Sequence, residues 1–292
     1  MSLLTVSTVA ELREFVQQAK FKGLSVGFVP TMGNLHAGHM SLIKQAKKHC
    51  DVVVASIFVN PLQFNDQSDL TNYPRTLEQD QALLTDNGCN LLFAPTVAEM
   101  YPNGQQSQTL VSVPEVSMGL CGGSRPGHFD GVATVVSKLF NMVQADKAFF
   151  GEKDFQQLAV IRKMVQDMCI AIEIIGVATE RSSDSDTEGL ALSSRNGYLS
   201  AEELAHAPAL YATLKEVAIA IQQGNDTLST LENAETRLTK QGFKVDYLAL
   251  CRQSDLKPAT ADDTQLVVLV AAFLGKARLI DNLPFPLNRT SD

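Results

Sequence analysis

The stretch Ser25-Val-Gly-Phe-Val-Pro-Thr-Met-Gly-Asn-Leu-His-Ala-Gly-His39 joins an apolar run to a segment with helical periodicity. We predict a strand from Ser25 to Val29, a helix from about Gly38 to His49, and a second, fully buried strand from Val52 to Val59. Two strands joined by a helix form a βαβ unit, in which the strands lie parallel in one sheet. The beginning of the chain therefore predicts an α/β fold.

The same alternation continues on both sides of this unit. Thr8 and Glu11 are predicted to form a capping box for a first helix, which ends near Gly23. Further helices are predicted at 76–87, 131–144 and 154–168, and further strands at 90–94, 146–150 and 171–178. We expect a Rossmann-like, doubly wound parallel sheet with helices on both faces.

The pattern changes after Ser182 to Glu188, a small, polar and acidic stretch that is typical of a linker or a mobile loop. Ser200 and Glu203 are predicted to cap one long helix that ends near residue 223. A helix at 227–241 and strands at 245–250, 265–273 and 277–281 follow, and Gly275 with Lys276 is predicted to turn the last two strands into a hairpin.

Two domains follow from this change of pattern. Residues 1–181 are predicted to form the Rossmann-like domain, and residues 182–292 a smaller C-terminal α+β domain. A chain of 292 residues is long enough for both.

Composition excludes several classes of protein. A net charge of −8 disfavours binding to nucleic acids or to membrane surfaces, because both are polyanionic. The five cysteines are widely spaced and contain no CxxC pair, so reduced thiols are expected. The longest apolar run, Leu266 to Leu274, is nine residues and too short to span a bilayer, and no signal peptide is recognised. We therefore expect a cytoplasmic protein.

His36 and His39 lie where the first βαβ strand passes into its helix. A helix N-terminus attracts phosphate oxygens, and Gly33 and Gly38 allow the backbone to approach a ligand closely. Two imidazole donors there can stabilise the charge that builds up on a phosphorus undergoing displacement. The alternatives are that both histidines only cap or pack the turn, or that they bind zinc; His49 and Cys50 are poor further zinc ligands because they lie at the other end of the helix. We favour ATP.

The segment Thr31-Met-Gly-Asn-Leu-His-Ala-Gly-His-Met-Ser-Leu42 resembles the HIGH-type signature of the pantothenate synthetase family, a branch of the HIGH nucleotidyltransferase superfamily. The resemblance extends, in the family's order, through Phe58-Val-Asn-Pro-Leu-Gln-Phe64, Arg125-Pro-Gly-His-Phe-Asp-Gly131, Phe150-Gly-Glu-Lys-Asp-Phe-Gln-Gln157 and Leu190-Ala-Leu-Ser-Ser-Arg-Asn196. One block alone would be a weak signal, whereas five in order are specific.

The resemblance implies an ATP site made of three segments. Their residues are Met32, Gly33, Asn34, Leu35, His36, Ala37, Gly38 and His39, then Gly151, Glu152, Lys153 and Asp154, and finally Leu192, Ser193, Ser194 and Arg195. The second segment follows an apolar strand and precedes a helix, so Lys153 is a natural counter-charge for phosphate oxygens, while the resemblance places Asp154 on the ribose. The alternative is a solvated helix start.

Ser193, Ser194 and Arg195 resemble the family's counterpart of the KMSKS loop, which closes over the leaving pyrophosphate. The alternative is a pair of serines that cap a helix, since Ser200 begins one nearby. The segment between Arg181 and Gly189 is about four residues longer than the family pattern, and the adenine contact near Glu180 is left unassigned.

Neutral amides follow the second strand at Asn60 and Gln63, where ligands of open α/β sheets bind. The resemblance implies that Gln63 contacts pantoate and β-alanine and that Gln157 contacts pantoate. An Asn-Pro turn with an exposed glutamine is the alternative. Arg125 to Asp130 is a candidate wall of the pantoate pocket. Asp80 lies on a helical pattern and is either a surface charge or a residue that helps to position Mg²⁺.

The resemblance implies ATP-dependent condensation of (R)-pantoate with β-alanine through a pantoyl-adenylate, with Mg²⁺, in a homodimer whose C-terminal domain closes over the active site. The expected catalytic residues are His39, His36, Lys153, Ser193, Ser194 and Arg195; no protein ligand of a metal is assigned. Two alternatives are another nucleotidyltransferase of the superfamily and a nonenzymatic ATP-binding module. A tRNA-charging enzyme is disfavoured, because the chain is acidic and lacks a basic RNA-binding appendage.

Overall fold

A computed structural model describes residues 3–65 and 67–287, so the extreme ends of the two predicted domains lie outside the described residues. Its strands are β1 (Leu4–Val6), β2 (Val26–Thr31), β3 (Val52–Ile57), β4 (Leu91–Phe93), β5 (Lys147–Gly151), β6 (Glu173–Val177), β7 (Lys244–Arg252), β8 (Gln265–Leu274) and β9 (Ala277–Pro286). Its α-helices are α1 (Val9–Phe21), α2 (Ala37–His49), α3 (Gln67–Asn72), α4 (Leu77–Asp86), α5 (Val97–Met100), α6 (Leu120–Ser124), α7 (His128–Val143), α8 (Phe155–Asp167), α9 (Ala201–His206), α10 (Ala209–Gln222) and α11 (Thr227–Lys240).

Strands β1 to β6 form one parallel sheet in the order β1-β4-β3-β2-β5-β6. Strands β2 and β3 lie at its centre, with Phe28 opposite Val54 and Val29 opposite Ala55. Near-continuous apolar runs in these strands fit a sheet whose two faces are both covered. The predicted Rossmann-like parallel sheet is confirmed, and its topological switch point lies between the adjacent strands β2 and β5.

Helix α7 covers the sheet closely. Phe140 contacts Phe28 edge-on, with ring centroids 6.5 Å apart. At the N-terminal end of α7, Gly131 approaches the turn after β3 so closely that an added Cβ would overlap the carbonyl of Leu62. Glycine at this position is what brings the helix against the segment that follows the carboxyl end of β3.

Strands β7, β8 and β9 form a separate antiparallel sheet. Its apolar core includes Leu214, Val217, Leu238, Val268 and Val270, all nearly or fully buried. The predicted hairpin is present, since β8 ends at Leu274 and β9 begins at Ala277. The α+β character predicted for the second half is thereby confirmed.

The long helix predicted from Ser200 to about residue 223 is wrong, because two helices, α9 and α10, occupy this span. Ser200 and Glu203 do form the predicted capping box. Pro208 lies between the helices, where it has no N–H to donate to the preceding turn and its ring crowds the carbonyl four residues earlier. The break therefore has a local cause that the apolar periodicity concealed.

The chain divides into two compact units. One comprises residues 1–117, 125–152 and 160–178, and the other comprises 118–124, 153–159 and 179–292. The predicted domains 1–181 and 182–292 stay a prediction. Within the part of the chain that the structure describes, none of the helices is long and apolar enough to cross a membrane.

Candidate active site

The loop between β2 and α2 is shaped by a carboxylate from another helix. Gly33 and Asn34 have positive φ angles of 85° and 51°. The N–H of Asn34 donates to Asp80 Oδ2 at 2.9 Å, and the N–H of Leu35 donates to Asp80 Oδ1 at 2.8 Å. Asp80 is only 1% exposed, so its interpretation as a surface charge is wrong. Its place four residues before the buried Leu84 is a signal that it lies on the inner face of α4.

His36 and His39 cap helix α2 reciprocally. His36 Nδ1 accepts from the N–H of Gly38 at 3.2 Å, and His39 Nδ1 accepts from the N–H of His36 at 3.3 Å, which forms a capping box. The ring centroids are 4.2 Å apart. An acceptor Nδ1 places the proton of a neutral imidazole on Nε2. Capping is therefore compatible with phosphate binding, because it fixes the tautomer in which each Nε2 is a donor.

The turn after β3 is held by Asn60, which is 1% exposed. Its Oδ1 accepts from Tyr101 Oη at 2.6 Å and from the N–H of Leu62 at 3.4 Å, while its Nδ2 donates to Gly131 O at 3.1 Å and to Gln63 Oε1 at 3.2 Å. These bonds occupy the two donors and two acceptor positions of the amide. They hold Gln63, while a direct substrate contact for Asn60 stays a prediction.

Gln63 is joined to the loop that carries the histidines. Its Nε2 donates to Met32 Sδ at 2.9 Å, and its carbonyl oxygen lies 2.8 Å from His128 Nδ1. Since a carbonyl accepts, His128 carries its proton on Nδ1, and its Nε2 accepts from Arg125 Nη1 at 3.1 Å. The structure therefore brings together a residue predicted to bind ATP and a residue predicted to bind pantoate. The sequence placed His128 only in a candidate wall of the pantoate pocket. In the structure its ring is hydrogen-bonded to the backbone carbonyl of Gln63.

The second predicted ATP segment lies as expected between a strand and a helix, β5 and α8. Gly151 and Glu152 belong to the first unit, whereas Lys153, Asp154 and Gln157 belong to the second. Lys153 Nζ lies 3.8 Å from Asp154 Oδ2. Within the second unit, Lys153 O accepts from Asn282 Nδ2 at 2.9 Å.

The third predicted segment, also in the second unit, is a tight turn. Ser193 Oγ accepts from the N–H of Arg195 at 3.2 Å and caps the 3₁₀ turn Ser194–Tyr198. Ser200 caps α9 separately. The N–H of Leu192 donates to Glu180 O at 3.0 Å, so the segment is paired with the chain on the other side of the Ser182–Glu188 loop.

That loop is closed at its base by Arg181, which sequence reasoning missed. Arg181 donates to Asp281 through Nη1 and Nη2 at 2.7 and 2.8 Å, and to Gly189 O at 3.0 Å. Its guanidinium lies 3.4 Å from the ring centroid of Tyr211. The sequence carried no signal for this pairing, because Asp281 is a single acid inside an apolar strand.

The fold and the site together define a Rossmann-like α/β enzyme. In it a histidine-capped helix follows a central strand, and buried amides lie at the carboxyl edge of the sheet. The chain belongs to the family of the pantoate-beta-alanine ligase, whose model matches residues 4–284. The predicted resemblance is thereby confirmed, and the chain is a ligase of this family.

Individual relatives match the sequence of this chain over almost their whole length. The chain is 59% identical over 285 residues to the pantothenate synthetase of Pseudomonas fluorescens, covering 97% of this chain and 98% of the relative. It is 60% identical over 280 residues to that of Ectopseudomonas mendocina, covering 96% and 97%.

Two solved structures share the fold. The pantothenate synthetase of Thermus thermophilus superposes with a TM-score of 0.87 at 47% identity, covering 96% of this chain and 98% of that chain. The pantoate-beta-alanine ligase of Francisella tularensis, solved in complex with beta-gamma ATP and beta-alanine, gives 0.80 at 34% identity and 97% coverage of both chains.

Proposed function

We propose that this chain condenses (R)-pantoate with β-alanine at the expense of ATP, through a pantoyl-adenylate, to give pantothenate, AMP and pyrophosphate. The observation that carries the proposal is the hydrogen bond from Gln63 Nε2 to Met32 Sδ. It joins the side chain expected to hold pantoate to the loop expected to hold ATP. Family membership and the Francisella complex with beta-gamma ATP and beta-alanine support the same substrates.

In the first step the pantoate carboxylate attacks the α-phosphorus, and pyrophosphate leaves. His36 and His39 donate from Nε2 to the α-phosphate oxygens, because their Nδ1 atoms accept from the backbone. The rings keep this orientation before the substrate binds, so no reorganisation is needed as charge develops. No enzyme nucleophile is required, and catalysis comes from positioning and fixed charge.

The remaining nucleotide contacts are proposed as follows. Lys153 and Arg195 hold the outer phosphates, with Ser193 and Ser194 as further donors, and Asp154 binds the ribose. The backbone of the loop from Met32 to Gly38 follows the phosphates into the N-terminus of α2. Gly151, Glu152 and Leu192 complete the proposed ATP contacts.

In the second step the amine of β-alanine attacks the carbonyl carbon of the adenylate. A C–N bond forms, the bond from that carbon to the phosphate oxygen breaks, AMP departs and the amine loses a proton. Gln63 and Gln157 orient the acyl group for this attack, while Asn60 holds Gln63 in place. Neutral amides suit this task because they orient a carboxylate without adding a buried charge.

Mg²⁺ enters the proposal as the counter-ion of the ATP phosphates, whose negative charge it offsets. Among the described residues, no three His, Cys, Asp or Glu side chains are grouped to hold a metal. Both oxygens of Asp80 already accept from backbone amides. We propose no protein ligand for Mg²⁺.

The test is an assay of AMP release in which pantoate and β-alanine are omitted in turn. The proposal predicts sustained AMP release only with both substrates, and pantoate-dependent exchange of pyrophosphate into ATP without β-alanine. Sustained net release of pyrophosphate without β-alanine would indicate a different nucleotidyltransferase. Binding of ATP without pantoate-dependent turnover would indicate a nonenzymatic module.

A homodimer and a cytoplasmic location complete the proposal; the homodimer rests on the family resemblance, and the location rests on the reduced thiols expected from the cysteine pattern. Sedimentation at micromolar concentration tests the first, with a mass near twice 31.7 kDa expected. A single-chain mass over the same range would contradict it.

A further inference from the structure

Two neighbouring residues on β9 each hold a different segment of the proposed phosphate site. Asp281 binds Arg181, which closes the loop that leads into Ser193–Arg195. Asn282 Nδ2 donates to the carbonyl of Lys153 at 2.9 Å. Successive strand residues point to opposite faces, so one strand supports the two segments from its two sides. All of these residues belong to the same compact unit.

Both side chains are buried in a strand that is otherwise largely apolar, each with 4% exposure. A buried carboxylate or amide costs free energy unless it is hydrogen-bonded. Asp281 forms a bidentate ion pair with Arg181, and Asn282 donates a hydrogen bond to the Lys153 carbonyl. Two apolar side chains at these positions would only fill the core. The polar pair also anchors two backbone segments.

On the Arg181 side, the pairing fixes the base of the loop. Arg181 forms a β-bridge with Ala191, two residues before Ser193, and also donates to Gly189 O. The ring of Tyr211 stacks against the guanidinium and restricts it further. The backbone that leads into the Ser193–Arg195 turn is therefore tied to β9.

On the Lys153 side, a second buried amide adds to the support. Gln156, which is 4% exposed, accepts from the N–H of Cys121 at 3.0 Å and donates to Gly119 O at 3.3 Å. This ties the first turn of α8 to α6, while Asn282 ties the preceding turn to β9. The carbonyl of Lys153 is thus held directly by Asn282, and the helical turn that follows it is held by Gln156.

We infer that Asp281 and Asn282 are positioning residues that hold the Lys153 turn and the Ser193–Arg195 turn in fixed relation on one strand. The inference rests on the proposed function, in which both turns bind the same leaving pyrophosphate. Neither residue touches substrate; each acts through the segment that it holds. A shared strand keeps the ammonium and the guanidinium matched to the spacing of two phosphates.

The first test is a double-mutant cycle of Asn282→Asp with Lys153→Ala. Asn282→Asp keeps the shape of the side chain but replaces the donor with an oxygen facing the Lys153 carbonyl. We expect pantoate-dependent pyrophosphate exchange to fall about tenfold or more in Asn282→Asp, with the KM for β-alanine unchanged. In the Lys153→Ala background the same change should cost less than about twofold, because the group that it positions is gone.

Gln253→Glu is the matched control. Gln253 directly follows β7, and its Nε2 donates to the carbonyl of Leu266 on β8 at 2.8 Å, which is the same kind of amide-to-backbone bond. We expect exchange within about twofold of the parent, at a similar loss of thermal stability. Equal losses of exchange in both variants, or an additive cycle, would overturn the inference.

A second cycle, Arg181→Lys with Arg195→Ala, covers the case in which Asn282→Asp does not fold. Arg181→Lys keeps the charge but loses the two-pronged pairing with Asp281. We again expect a loss of about tenfold that shrinks to under about twofold without Arg195. If Lys153→Ala and Arg195→Ala themselves leave exchange unchanged, the inference is overturned, whereas a parent chain without pantoate-dependent exchange would refute the proposed function.

Discussion

The carboxylate of Asp80 accepts the backbone N–H of Leu35 at 2.8 Å, across 45 residues of sequence. Its other oxygen accepts from Asn34, so one buried side chain determines the path of the loop between β2 and α2. The histidine pair follows directly after this loop. The position of the imidazoles therefore depends on a residue that need not contact any ligand.

Asp80→Asn should disturb the loop between β2 and α2 without creating a cavity in the core. An amide offers only one acceptor oxygen to two backbone donors, so one buried N–H loses its partner at a cost of about 1–3 kcal/mol. We expect the KM for ATP to rise about tenfold. Steady-state kinetics will check the KM for ATP, and urea unfolding will check the loss of unfolding free energy. Asp86→Asn, on the exposed end of the same helix, is the control and should change neither.

His39→Ala removes both a cap and a phosphate donor. We expect pantoate-dependent pyrophosphate exchange to fall by about two to three orders of magnitude, because a fixed transition-state donor is lost. The lost cap should lower the free energy of unfolding by only about 1 kcal/mol. His49→Ala, at the exposed far end of the same helix, should keep near-normal exchange. Near-normal turnover in His39→Ala would refute the assigned role.

Gln63→Glu places a carboxylate where the acid substrate is proposed to bind. Like charges repel in a buried site, so we expect the KM for pantoate to rise about tenfold or more, with a smaller effect on the KM for ATP. Gln81→Glu serves as control, because the Gln81 amide donates to Thr5 Oγ1 on the exposed surface. An unchanged KM for pantoate in Gln63→Glu would remove Gln63 from the pantoate site.

Gly131→Ala tests the close approach of α7 to the turn after β3. The added Cβ would overlap Leu62 O, a backbone atom that cannot rotate away. We expect a loss of about 1–3 kcal/mol in unfolding free energy and a higher KM for pantoate, since Gln63 follows Leu62. Gly123→Ala, where a Cβ meets open space, is the control. Wild-type values in Gly131→Ala would show that the helix can shift at no cost.

Cys89 should make stability depend on pH in the alkaline range. Burial raises the pKa of its thiol from 9.0 to about 11. A raised folded-state pKa stabilises the fold fully below pH 9, and this contribution is lost as the pH rises from about 9 to 11. We expect wild type to lose roughly 2 kcal/mol more than Cys89→Ala over this interval. Urea unfolding at pH 8.5 and 11 checks this, with the exposed Cys169→Ala expected to follow wild type.

Local patterns were enough for much of the architecture. The parallel sheet follows from β-branched and aromatic runs that alternate with helical periodicity, and the caps at Thr8 and Ser200 follow from pairs three residues apart. The break at Pro208 was missed because apolar spacing continues across it, whereas a proline interrupts the helix through its missing N–H. Periodicity reports which face is buried and not whether the backbone is continuous.

The candidate site likewise has one part that the sequence predicted and another that only the tertiary structure revealed. The sequence by itself determined the sheet, the family, and the motifs that carry His36, His39, Lys153 and Arg195, because each motif is a short run next to a strand or turn. Only the tertiary structure decided what supports them: Asp80 under the histidine loop, Asn60 and His128 around Gln63, and Asp281 with Asn282 on β9. These supports join residues far apart in the chain through buried hydrogen bonds. No local pattern predicts which distant donor a buried acceptor meets, since that depends on how the elements pack.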